Sequence, residues 1–99
     1  MTELRPLTSE ELDQAARDLP LWDVSADRFR RELRFGDFAE AFGFMTEVAV
    51  VAEAMNHHPE WSNVYQRVTV ELRTHDVDGV SALDITLARR IDVAVTRRS

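Results

Sequence analysis

Leu12, Ala15, Ala16 and Leu19 recur at the three- and four-residue spacing of an amphipathic helix. The segment opens on Thr8-Ser-Glu-Glu11, a capping box in which a threonine hydroxyl and a glutamate satisfy the free amides of a first turn. Pro20 closes it. Leu21–Val24 and Phe29–Phe35 then predict two strands around Ser25-Ala-Asp27, the second with Phe29, Leu33 and Phe35 on one face and Arg30, Glu32 and Arg34 on the other. Phe38 to about Asn56 predicts a long second helix. Glu40 and Glu47 mark one polar stripe on it, while Phe42, Phe44, Met45, Val48, Val50 and Val51 leave most of the remainder apolar. An apolar arc that wide predicts burial on two sides, one against the chain's own sheet and the other against a second subunit. A monomer with this helix at its centre is the alternative.

Past the helix the period changes to two. Val64 to Thr74 predicts a strand, with Val64, Val68, Val70 and Leu72 facing one way and Tyr65, Arg67, Thr69, Glu71, Arg73 and His75 the other. Asp76-Val-Asp-Gly79 is a turn cluster. Ser81-Ala-Leu-Asp84 is a second capping box, and Leu83, Leu87, Ile91 and Val95 continue down one helical face. A fourth strand is expected either between Val77 and Ser81 or by division of the Asn63–His75 segment. The order α-β-β-α-β-β-α predicts an α+β fold, helices on one face of an antiparallel sheet, with residues 1–99 as one domain.

Composition narrows the chemistry. Ninety-nine residues, 44% hydrophobic and 30% charged, suit a folded domain with one core. The absence of cysteine removes disulfides, thiolate catalysis and cysteine zinc sites. All twelve basic residues are arginine, so a lysine Schiff base and a P-loop are excluded as well. A formal charge of −6 argues against a nucleic-acid surface. No stretch approaches the roughly 20 apolar residues of a membrane span. The N-terminal MTELRPLTSEELD lacks the apolar run of a signal peptide, and a cytoplasmic location is expected.

The candidate chemistry lies in EAMNHHPEW, Glu53 to Trp61, which holds two of the three histidines. Glu53 and His57 are four apart and share a helical face if the helix extends that far, so Glu53 is expected to hold the His57 tautomer and raise its basicity. Pro59 would stop the helix and bias His58 toward an extended backbone, sending the two rings in different directions. His75 joins them from a strand end, and Trp61 could wall a flat ligand. Three imidazoles, a carboxylate and an aromatic plate point to acid–base chemistry on a planar heterocycle. From position alone, adjacent histidines after a helix read equally as surface residues, Trp61 as packing and Asp84 as a cap. Zinc is the weaker reading, because adjacent histidines chelate poorly beside an i, i+4 pair.

The full spacing decides among these. Glu53, three residues, His57-His58-Pro59, five residues, Tyr65, nine residues, His75, eight residues and Asp84 resembles the signature of the pterin-4a-carbinolamine dehydratases. The flanking AEAMNHHPEWSNVYQRVTVELRTHD and DITLARRID are similar to that family too, over nearly the whole chain. The resemblance implies a four-stranded antiparallel sheet with three helices on one face, assembled into homodimers or homotetramers. It implies dehydration of 4a-hydroxytetrahydrobiopterin to the quinonoid dihydropterin, a step of tetrahydrobiopterin recycling, with no metal and no organic cofactor. By position His57, His58 and His75 match the active-site histidines, Glu53 the supporting carboxylate and Trp61 the wall beside the pterin. Asn56 stands where many members carry Asp, and Asp84 matches the end of the signature; both are expected near the substrate. Two other readings accompany this one: a binding or assembly partner acting through its helical surface, as in a branch of the family that stabilises a transcription factor's dimer, and a dehydratase for another pterin.

Overall fold

The structure, a computed structural model, describes residues 4–98. Met1 to Glu3, the start of the N-terminal segment considered above, lie outside the described residues. Helix α1 (Ser9–Asp18) begins as its capping box predicts. Glu11 N–H donates to Thr8 Oγ1 at 3.1 Å, and Thr8 N–H donates to Glu11 Oε1 at 2.9 Å. Its buried stripe is narrower than the spacing suggests: Ala15 and the following Leu19 are buried, whereas Ala16 faces solvent. Strand β1 is only Asp23–Val24, because the chain is still turning at Pro20 and Leu21, where Trp22 N–H donates to Leu19 O at 3.0 Å, and β2 is Phe29–Arg34.

Helix α2 (Phe38–Met55) is capped by Asp37, whose Oδ1 accepts the Glu40 N–H at 2.8 Å. It stops at Asn56, which adopts the left-handed conformation with φ 52°. Asn tolerates that region better than most residues, so the helix ends before Pro59 is reached. The polar stripe on α2 also differs from expectation. Glu40 and Glu47 are half-buried, and Glu47 accepts Arg98 Nη1 at 2.8 Å and Arg97 Nη1 at 3.1 Å from just past the end of the third helix. The Arg98 hydrogen bond is the main reason the Glu47 carboxyl is held below its usual pKa. The outward positions are instead apolar: Phe38, Phe42 and Val50 are 49, 56 and 68% exposed.

The fourth strand arises by division of the Asn63–His75 segment, the second of the two expectations, although its first half starts earlier, at Glu60. Glu60–Val64 forms β3 and Arg67–Leu72 forms β4, with the chain reversing at Tyr65-Gln66. Val64 and Val68 therefore do not continue one alternating strand: Val64 is exposed and pairs with Arg67, while Val68, Val70 and Leu72 are buried. The turn is cryptic because Tyr65, at φ 57°, takes the position where Gly or Asn usually signals a hairpin. Between Val77 and Ser81 no strand forms; His75–Val77 make a 3₁₀ turn closed by a bridge between Thr74 and Gly79. His75 thus follows β4, and Tyr65 lies at the far end of the hairpin.

The sheet runs β1-β2-β4-β3, antiparallel throughout. Helix α3 (Ala82–Thr96) buries Leu87, Ala88, Ile91 and Ala94 against Phe29, Phe44, Val48 and Leu72, closing the core between sheet and helices. Its start is the second capping box, Ser81 with Asp84. No helix among the described residues is long and apolar enough to cross a membrane.

Candidate active site

The α2 stop and the α3 start meet across the end of the β3–β4 hairpin, and that meeting builds the site. After Asn56 turns left-handed, the His57 N–H bonds back to Ala52 O at 3.0 Å, fixing the first histidine against the helix end. Its ring is 8% exposed, and Nε2 lies 2.6 Å from Oδ1 of Asp84, a carboxylate with no exposure at all. The other carboxylate oxygen, Oδ2, accepts the Ser81 N–H at 2.9 Å and the Thr74 hydroxyl at 2.8 Å. Thr74 spends its one proton there, so the Ser81 hydroxyl, 2.7 Å away, donates to Thr74 and accepts the Leu83 N–H at 3.2 Å. A carboxylate only accepts, hence His57 carries its hydrogen on Nε2. Nδ1, with no protein partner among the described residues, keeps its lone pair available.

Glu53 does not pair with His57. The left-handed turn at Asn56 breaks the helical register between them, and Glu53 Oε1 instead meets His58 Nε2 at 2.8 Å. That pair is exposed, 57% for the histidine and 81% for the glutamate. His75 is exposed as well, with Nε2 3.5 Å from Glu60 Oε1. All three histidines line one open cleft of about 520 Å³, with Asn56 and Met55 from the α2 end, Arg73 after β4 and Leu83 from α3.

The remaining expected residues are placed unevenly. Asn56 lines the cleft as the helix cap. Trp61 sits on β3 opposite Val70, half-buried against the core and outside the lining. Asp84, fully buried, lies behind His57, where it can orient that ring but not touch a ligand. Thr74 and Arg73 are the participants that periodicity did not single out. Thr74 ties Asp84 to the sheet. Arg73 donates from Nη2 to Asp78 at 3.0 Å, while its buried Nε lacks a partner among the described residues. Thr74 could have been suspected as a hydroxyl next to His75, and Arg73 as a neighbour of His75 on the polar face of the alternating segment. Among the described residues, no group of three or more His, Asp or Glu side chains is placed to hold one metal ion.

Fold and cleft together define a small α+β protein with three histidines around one opening, one of them fixed in tautomer by a buried carboxylate. Residues 5–94 match the family described as Pterin 4 alpha carbinolamine dehydratase. The chain is 59% identical over 87 residues to a "Putative pterin-4-alpha-carbinolamine dehydratase" of Prochlorococcus marinus (strain MIT 9303), covering 88% of this chain and 91% of that one. A protein of the same name from Burkholderia orbicola (strain MC0-3) is 57% identical over 93 residues, covering 92% and 91%. Among solved structures, the transcriptional coactivator/pterin dehydratase from Brucella melitensis superposes with a TM-score of 0.85 at 43% identity, over 89% of this chain and 96% of that one. The chain belongs to the pterin-4a-carbinolamine dehydratase family.

Proposed function

We propose that the protein is an active dehydratase of 4a-hydroxytetrahydropterins, working in the cytoplasm by histidine acid–base catalysis. In this reaction the N5 lone pair forms the N5=C4a bond as the C4a–O bond breaks. The leaving hydroxyl takes up a proton and departs as water, and a ring N–H gives up a proton to complete the quinonoid dihydropterin. The protein must therefore supply one acid and one base, and near-neutral imidazoles suit both tasks.

The observation that carries this reading is the His57–Asp84 pair within a cleft that His58 and His75 also line. His57 is assigned the base. Its Nδ1 lone pair is free, and the Asp84 carboxylate stabilises the imidazolium that proton uptake creates. His58 and His75 are assigned to the leaving hydroxyl, with Glu53 and Glu60 as their respective carboxylate partners. Asn56 and Arg73 are assigned to binding the pterin. The test is whether the purified protein speeds decay of the carbinolamine intermediate generated by an aromatic amino acid hydroxylase. Replacing His57 and His75 together by Ala should remove about 10²-fold or more of that acceleration while the protein stays folded. A folded double variant at the wild-type rate would refute the assignment.

The outward apolar face of α2 supports self-association. Phe38 and Phe42 contact each other with ring centroids 5.7 Å apart, and Val50 lies further along the exposed side. A second copy is the assigned occupant, giving a dimer or larger assembly in light scattering at micromolar concentration. A monomeric mass would favour the other reading of this face, a binding surface for a different protein.

A further inference from the structure

The sheet face turned away from the helices carries charges in cross-strand register, and one pair has like sign. Arg34 of β2 is directly opposite Arg67 of β4, and their neighbours Leu33 and Val68 point into the core. Like charges set directly opposite each other are destabilising. Other charges on this face are matched: Arg30 donates to Glu32 at 2.8 Å, and Arg28 pairs with Glu71. Neither Arg34 nor Arg67 has a side-chain partner among the described residues, although the chain has eighteen acidic residues and a net charge of −6.

Arg34 and Arg67 line a concavity of about 290 Å³ together with Ser62, Thr69, Val64 and Glu32. Ser62 and Thr69 are themselves cross-strand partners, and neither hydroxyl is engaged by the protein. The Glu32 carboxylate is already taken by Arg30. No residue of this concavity lines the histidine cleft, which lies at the other end of β4. We propose that this concavity binds a dianionic oxyanion of the phosphate type, through Arg34 and Arg67 with Ser62 and Thr69 as hydroxyl donors. Two guanidinium forks offer paired N–H donors and two positive charges, a better match to a phosphate dianion than to a single carboxylate.

Calorimetric titration of the whole protein with inorganic phosphate, against chloride at equal ionic strength, tests this. The wild type should show saturable one-to-one binding. Arg34→Gln/Arg67→Gln should weaken it about tenfold or more, as expected for charge-assisted hydrogen bonds, and Arg17→Gln on α1 should leave it unchanged. Phenyl phosphate should bind as inorganic phosphate does, and benzoate more weakly. The double variant should melt no lower than wild type in phosphate-free buffer, since it relieves a repulsion; Arg67→Gln alone gives the same test through a smaller loss of affinity. Absence of saturable binding, retention of affinity in the folded variants, or equal binding of benzoate would overturn the proposal.

Discussion

Two adjacent histidines each meet a carboxylate at nearly the same distance, 2.6 Å for His57–Asp84 and 2.8 Å for His58–Glu53, yet the pairs differ physically. Asp84 is fully buried and accepts from the Thr74 hydroxyl and the Ser81 amide as well as from His57. Glu53 is largely exposed and has no second side-chain partner among the described residues. An exposed pair competes with water and salt and contributes little. A buried one cannot be broken without stranding a polar group, so it fixes geometry. The difference teaches that distance alone does not separate a structural constraint from a surface contact; burial and the number of obligate partners do.

The comparison is broken most severely by Asp84→Ala. It strands the buried donors of Thr74, Ser81 and His57, at about 1–3 kcal/mol for each one left unsatisfied. Denaturant titration should show that loss as a lower midpoint. His57→Ala should lower dehydration about 10²-fold or more, measured as carbinolamine decay, with a smaller loss of stability because Thr74 and Ser81 still satisfy one oxygen of Asp84. Glu53→Gln sharpens the contrast. Its stability should stay within about 0.5 kcal/mol of wild type, and its turnover within about fivefold.

The smallest effect concerns another exposed pair, Arg5 with Glu11, at the start of α1. The Arg5 hydrogen bond, with the Thr8 amide second, lowers the Glu11 carboxyl from 4.5 to about 2. A depressed carboxylate contributes stability above its unfolded value and loses it as pH falls through the folded one. Glu11→Gln should therefore melt slightly below wild type at neutral pH, and the gap should close between about pH 4.5 and pH 2. A gap that persists at pH 2 would assign the loss to the capping geometry instead of the charge.

How much of this was legible in the sequence follows from what is local. Both capping boxes, the alternation of β2 and the extent of α2 depend on neighbours within a few residues, and all three can be read there. The Tyr65-Gln66 reversal is local too, but its left-handed residue is a tyrosine, so composition conceals it. On the Glu40/Glu47 stripe, Glu47 is not left to solvent, because its cover, Arg97 and Arg98, arrives just past α3, fifty residues later. The site shows the same division. The spacing of the histidines and Asp84 matches the family signature, yet the pairing of His57 with Asp84 spans 27 residues and overrides the i, i+4 geometry that nominated Glu53. Asp84 was readable as a cap, and it is one; the second oxygen's use could be seen only when α3 met the end of α2.

In the proposed mechanism the buried Asp84 governs the chemistry through His57, while the exposed Glu53 adds little to the part His58 plays. The direct test compares Asp84→Asn with Glu53→Gln in one carbinolamine-decay assay, each variant first shown to be folded. An asparagine amide facing His57 would donate where the carboxylate accepted, favouring the tautomer with hydrogen on Nδ1 and removing the lone pair from the cleft. The predicted result is a loss of about 10²-fold for Asp84→Asn and of no more than about fivefold for Glu53→Gln. Equal losses, or a larger one for Glu53→Gln, would contradict it.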